Sequence, residues 1–514
     1  MYAADYVNQH PDRPAFIMAS TGESVSYREY EARTNQLSHL LRAHGLERLD
    51  HYSIFMENNA RYLECCGAGE RSGLYYTCIN HYLQADELAY ILTNSESKLL
   101  IISADKLPVA EIALRDAPNV TLCLVVGGDA QGDAFRNYEE ALGAYPKTPI
   151  ADESLGTSML YSSGTTGRPK GILRPLPLQA PADALPLYKF LSDLWRYRED
   201  MIYLSPAPLY HSAPQAAVGL TIRHGGTVVI MERFDAETYL GLVKRHQVTH
   251  SQLVPTMFGR LLKLPDEIKA RADLRSLEIA IHAAAPCPMK IKEAMIEWWG
   301  PIIHEYYGAT EGLGFAALDS KEWLANKGSV GRVILGELHV LDEQGEPVPD
   351  GDAGELWFKS GSEFSYFNNA QKTEEATSAD GTMHTVGDVG YVKDGYLYLT
   401  DRSSFMIISG GVNIYPQEIE DLLISHPKLT DAAVFGVPNE DLGEEVKAVV
   451  QVNEELAPTQ ELAAELMAYC ADHLSRQKCP RSIDFEAQLP RLPTGKLYKR
   501  LLKDRYWAEH DKRI

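Results

Sequence analysis

Leu99-Leu-Ile-Ile-Ser103 and Leu122-Cys-Leu-Val-Val126 are short, unbroken apolar runs, rich in branched side chains and bounded by polar residues. Such runs predict strands of a parallel sheet covered on both faces, because a half-exposed strand would alternate apolar and polar residues. Residues 227–231 (TVVIM) repeat the pattern. Between these runs lie stretches of helical spacing, such as Leu37, Leu40 and Leu41 at i, i+3 and i+4. The alternation predicts a layered α/β architecture.

Past about residue 330 the texture changes. Gly, Pro and Asp at 342–345 and 348–354 separate short strands such as 355–359 and 396–400, predicting a β-rich subdomain. A compact α+β tail follows. Pro416 opens a helix with Ile419, Leu422 and Leu423 on one face, strands fall at 432–437 and 447–452, and a helix covers 461–474. The expected division is a large N-terminal domain, 1–401, and a small mobile C-terminal domain, 402–514. A single core stops growing near ~250–300 residues, so 514 residues call for more than one domain.

Composition narrows the function. Hydrophobic residues make up 45% and charged residues 23%, the balance of a globular protein. A formal net charge of −22 argues against a nucleic-acid partner, since phosphate backbones are held by an excess of Lys and Arg. A polyphosphate ligand must therefore be held by a local set of donors. The seven cysteines include adjacent Cys65 and Cys66 but no CxxC pair, which fits reduced thiols and disfavours a cysteine zinc site. The first residues lack the basic start and apolar stretch of a signal peptide, and no run approaches the ~20 apolar residues of a membrane span. A soluble cytoplasmic protein with no integral membrane segment is expected, with a homodimer among its possible states.

The most informative segment for chemistry is Tyr161-Ser-Ser-Gly-Thr-Thr-Gly-Arg-Pro-Lys-Gly171. It crowds the hydroxyls of Ser162, Ser163, Thr165 and Thr166 around Gly164 and Gly167, then adds Lys170. Glycines let backbone N–H groups approach an anion, hydroxyls add donors, and the lysine adds charge. The spacing is not that of a Walker loop, because Lys170 is followed by Gly171. A Ser/Gly surface turn would explain the glycines but not a lysine closing a dense Ser/Thr/Gly run. Phosphate binding is the favoured of the two readings on residue chemistry alone.

The loop resembles the signature loop of the adenylate-forming superfamily, which includes acyl-CoA synthetases, peptide-synthetase adenylation domains and luciferases. Further motifs follow in the superfamily's order, and the similarity spans essentially the whole chain. Tyr307-Gly-Ala-Thr-Glu311 resembles the second core motif. A carboxylate such as Glu311 suits the Mg²⁺ of ATP, which takes hard oxygen ligands, and Thr310 can donate to a phosphate oxygen. The resemblance gives Tyr307 the adenine face and extends the nucleotide site to Glu305, Tyr306 and Gly308. Ala283-Ala-Ala-Pro286 resembles the small-residue turn lining the adenine and acyl pockets, with Ala284, Ala285 and Pro286 on the nucleotide side. Outside such a pattern an isolated Glu, Tyr or alanine run would be read as surface or packing.

Thr385-Val-Gly-Asp388 matches the motif whose Asp accepts from both ribose hydroxyls, and Arg402 stands where the family places an arginine on the nucleotide sugar. Ser409-Gly-Gly-Val-Asn-Ile-Tyr-Pro416 resembles the segment after the interdomain hinge, where Ser409, Gly410 and Gly411 would let the pantetheine arm of CoA pass. The hinge itself departs from the family: Ser404 stands at the usual Lys or Asp position, followed by Phe405 where an acid is common. Pro493-Thr-Gly-Lys-Leu-Tyr-Lys-Arg500 resembles the last motif, and Lys496 is its adenylation lysine. In a tail this basic, a lysine without the Pro-Thr-Gly context would be read as a solvated charge. His211, in a loop resembling the one that gates the acyl pocket, has a supporting catalytic role. Ala283, Gly308, Ala309, Gly312 and Gly314 line that pocket, and Lys478 and Arg481 would hold the phosphates of CoA.

The resemblance thus implies an ATP- and Mg²⁺-dependent acid–CoA ligase that forms an acyl-AMP and then an acyl-CoA. Small residues and the lack of a charged partner favour a medium-to-long or bulky hydrophobic acid. An aryl acid, or transfer to a carrier-protein thiol, is the alternative. Luciferase-like oxidation has no positive feature, and a non-catalytic relative is opposed by the joint presence of Lys170, Glu311, Asp388 and Lys496.

Overall fold

The computed structural model describes residues 2–128, 134–162, 169–183, 185–359, 361, 363–402, 405–409, 412–439, 442–453, 456–491 and 497–508, with backbone alone for Asp401, Arg402, Asn413 and Ala508. Its contacts divide into two units. The first is Met1–Leu253 with Leu264–Ile281 and Glu363–Glu374; the second is Val254–Lys263 with His282–Ser362 and Glu375–Ile514.

In the first unit the two opening runs are neighbouring strands. They lie in a parallel sheet in the order Phe135–Asn137, Leu122–Val126, Leu99–Ser103, His51–Phe55, Tyr75–Cys78, Thr157–Ser158. Every residue of Leu99–Ser103 is buried, as a continuous apolar run requires. The helix Tyr27–Ala43 buries Leu37, Leu40 and Leu41, and Ser26 with Glu29 forms a capping box at its start. Another sheet carries the third run, as Thr227–Ile230, parallel to both Ile202–Ser205 and Pro14–Met18. A small antiparallel sheet sets Leu160–Ser162 beside Lys170–Leu173, which pairs in turn with Ser365–Tyr366.

In the second unit the β-rich expectation holds. Glu337–Leu341, Gly354–Lys359, His384–Lys393 and Tyr396–Arg402 form an antiparallel sheet in chain order. Ile303–Gly308, Phe315–Leu318 and Arg332–Leu335 are likewise antiparallel neighbours. The tail has its own core. Leu429–Asn439 and Gly443–Val452 make a long antiparallel pair, with Ser482–Phe485 parallel to the latter. Helices Pro416–Ile424 and Gln460–His473 press Ile419, Leu423 and Leu466 against Val434, Ala448 and Val450. Leu422, expected on the same face, is only partly buried at its edge. All seven cysteines are free thiols.

Candidate active site

The arms of the expected phosphate loop are built in the first unit. Ser162 and Lys170 are directly paired across the hairpin, so the last donor before the loop and the lysine after it face one another in register. The Lys170 ammonium lies 4.6 Å from the centre of the Tyr366 ring. Gly171 lets the Tyr161 ring pass close, and the Tyr161 hydroxyl donates to Asn94 Oδ1 at 2.6 Å. Ser163, Gly164, Thr165, Thr166 and Gly167 lie outside the described residues. His211 stands at the N-terminal end of helix Ser212–Arg223, its ring 4.1 Å from that of Tyr210.

The second unit gathers the nucleotide-type residues. Ala283 is buried, while Ala284 and Pro286 are exposed and Ala285 is half-buried. Ala284 has φ 72°, a left-handed conformation that costs a non-glycine residue about 1–2 kcal/mol. A strained turn of this kind persists only where its surroundings hold it. The Tyr307 hydroxyl donates to Asp388 Oδ2 at 2.7 Å, so the expected adenine and ribose residues are in contact. Asp388 and Arg402 are directly paired across their strands. Tyr306 stacks on Phe315 with ring centres 4.8 Å apart. Thr310 is half-buried and Glu311 buried.

Small residues at this site serve two ends. Gly312 has φ 77° and open space where a side chain would stand, and Ala309 is half-buried. At Gly314, in contrast, a Cβ would sit 2.1 Å from the Phe358 ring, so that ring occupies the room on its side-chain side. Gly308 is an exposed position where a Cβ would lie 3.2 Å from Phe315.

Glu305 was expected among the nucleotide residues, and its carboxylate is turned inward. It accepts a hydrogen bond from the Lys292 ammonium and is buried with it. Burial raises the Glu305 pKa and lowers that of Lys292, and their mutual attraction opposes both shifts. Sequence reading missed Lys292. It lies two residues from the exposed Lys290 in helix Met289–Trp299, and no local signal separates the two.

Of the CoA-type residues, Ser409 pairs with Val412, while Gly410 and Gly411 lie outside the described residues. Lys478 is engaged by Glu418 at 2.5 Å, which offsets its charge, and Arg481 is exposed. Lys496 and Ser404 are also outside the described residues, as is the Arg402 side chain. The flanks of Lys496 are held: Arg491 bonds both carboxylate oxygens of Asp431, and Lys499 pairs with buried Glu420 at 3.0 Å. Lys499 also lies 5.4 Å from the centre of the Phe405 ring.

Among the described residues no cluster of three or more His, Cys, Asp or Glu side chains could cage a metal. One carboxylate at Glu311 fits Mg²⁺ that arrives on ATP, because such an ion keeps phosphate oxygens and waters as its other ligands.

Residues 3–365 match the family described as AMP-binding enzyme, and residues 418–496 match the AMP-binding enzyme C-terminal domain. The chain belongs to this family of adenylate-forming enzymes, in the AMP-forming acid–CoA ligase class whose reactants are ATP with Mg²⁺, a carboxylic acid and CoA. It is 31% identical to the long-chain-fatty-acid–CoA ligase FadD13 of Mycobacterium tuberculosis, over 97% of this chain and 96% of that one. Crotonobetaine/carnitine–CoA ligase of Escherichia coli is 28% identical, covering 97% of each chain. The crystal structure of ATP-bound MatB from Rhodopseudomonas palustris superimposes with a TM-score of 0.81 at 27% identity, over 98% of this chain and 99% of that chain.

Proposed function

We propose that the acid activated here is a medium-to-long or bulky hydrophobic one, and that the reaction runs in two steps divided by a movement of residues 402–514 about Ser404. The observation that carries the nucleotide reading is the Tyr307–Asp388 hydrogen bond, which joins two motifs far apart in the chain at one place. Tyr307 offers its face to adenine, and Asp388 and Arg402 take the ribose. Ser162, Ser163, Thr165, Thr166 and Lys170 would hold phosphates, Thr310 would donate to a phosphate oxygen, and Glu311 would supply a carboxylate ligand to the Mg²⁺ that arrives with ATP.

In the first step a carboxylate oxygen attacks the α-phosphorus and pyrophosphate leaves. Two anions must meet, and Lys496 cancels their repulsion where charge develops. In the second step the C-terminal domain turns, withdraws Lys496, and brings Ser409, Gly410 and Gly411 to the pantetheine arm. The CoA thiol then attacks the acyl carbon and AMP leaves. One site thus serves two reactions by domain motion. Next to the hinge position, the Lys499 ammonium lies 5.4 Å from the centre of the Phe405 ring, where the family commonly has an acid.

The hydrophobic substrate is supported by the similarity to a long-chain-fatty-acid–CoA ligase. Pyrophosphate release measured across straight-chain acids from two carbons upward should rise with length, because each buried CH₂ contributes ~0.8 kcal/mol. Best activity with acetate, falling with length, would overturn the assignment. A benzoate preferred over every straight chain would favour an aryl acid. The proposed location is the cytoplasm, where ATP and CoA are drawn from common pools, and a homodimer of 57.2 kDa subunits is among the possible states. Light scattering that gives the monomer mass at assay concentration would contradict the dimer.

A further inference from the structure

Behind the turn 283–286 lies a charged cluster that neither step uses. His282 ends the strand Ile279–His282 and is 0% exposed. Lys292, 1% exposed, sits in the helix that follows the turn, and Glu305, 6% exposed, sits in the strand that carries Tyr307. The Lys292 ammonium donates to Glu305 Oε2 and lies 4.8 Å from the centre of the Trp323 ring. His282 Nε2 is 3.5 Å from the same carboxylate oxygen, and neither of its ring nitrogens makes a hydrogen bond among the described residues. The Phe258 ring meets the imidazole edge-on at 5.4 Å.

A buried ion pair is a poor way to gain stability. Desolvation cancels much of the attraction, and apolar residues of the same volume often do as well or better. What the pair supplies is direction: one ammonium and one carboxylate fix two elements at one point, the helix leaving the turn and the strand bearing Tyr307. Glu305 and Tyr307 are two residues apart and so lie on the same strand face. Ala284, in the turn between the strand Ile279–His282 and that helix, holds a left-handed conformation with φ 72°.

We propose that Lys292 and Glu305 are positioning residues, a buried ion pair that sets the turn 283–286 against the Tyr307 strand in the geometry that receives the adenine nucleotide. The inference rests on the nucleotide reading of that turn and strand. It adds residues that touch no substrate and act through those that do.

The test separates positioning from stability. Lys292→Met alone strands a buried carboxylate, so its Tm falls. The double variant Lys292→Met, Glu305→Gln carries no unpaired charge and should recover the wild-type Tm. If the pair positions the turn, the double variant keeps a KM for ATP raised about 10-fold or more, since small misplacements cost that much or greater. Its kcat at saturating ATP and its KM for CoA stay within about twofold of wild type. Recovery of the wild-type KM for ATP together with Tm would overturn the proposal, leaving a purely structural pair. So would a uniform loss in kcat and every KM. Asp388→Ala is the control for that reading: an unchanged KM for ATP in it defeats the nucleotide reading itself, and the inference with it.

Discussion

Lys496→Ala should slow acyl-adenylate formation by about 10²–10³-fold, the usual cost of removing one preorganised group from a charge-developing transition state. Thioester formation from supplied acyl-AMP should stay near wild type. The asymmetry is the point. A lysine needed only while carboxylate meets α-phosphate has no work to do once pyrophosphate has left. Lys499, three residues on, is a different kind of lysine: it is buried against Glu420, whose Oε1 also accepts the Val434 N–H at 2.7 Å. Its removal would strand a buried carboxylate and should lower stability in both half-reactions alike. The two half-reactions are measured separately, by pyrophosphate release and by CoA consumption with synthetic acyl-AMP. Equal loss of both in Lys496→Ala would sink the domain-movement assignment.

Asp388→Ala should raise the KM for ATP by about 10²-fold, with a much smaller change in the KM for CoA. A carboxylate that accepts two ribose hydroxyls makes charge-assisted hydrogen bonds, each worth ~1.5–3 kcal/mol. The same residue also tethers Tyr307 through its hydroxyl. Tyr307→Phe isolates the second effect, because it keeps the ring and removes only the tether. A modest rise in Tyr307→Phe, well below that of Asp388→Ala, is expected. Matching rises would mean that Asp388 works by holding Tyr307 and not by binding ribose.

Much of this fold was legible because its strands are buried on both faces. LLIIS and LCLVV announce themselves as continuous apolar runs, and both are strands with the expected bounds. The tail was legible for a similar reason, since Pro416, Ile419 and Leu423 mark a helix start and its inner face. Pairings between distant segments were not. Ser365–Tyr366 joins the phosphate hairpin through backbone hydrogen bonds, which leave no trace in side-chain pattern.

At the site, the family resemblance pointed to Tyr307, Asp388 and Arg402, and the strand register pairs Asp388 directly with Arg402. What it did not reveal is that the missing side chain at Gly314 makes way for Phe358. It also overlooked Lys292. A lysine's burial depends on an acid delivered from another element, here Glu305, and composition along one helix cannot reveal that partner.

Two-step ligation is tested by pyrophosphate release from ATP·Mg²⁺ with a long-chain acid, measured with and without CoA. Acid-dependent release should stop near one equivalent per enzyme without CoA and turn over continuously with it, yielding AMP and acyl-CoA. Release indifferent to the acid, or continuous turnover that ignores CoA, would contradict two-step ligation.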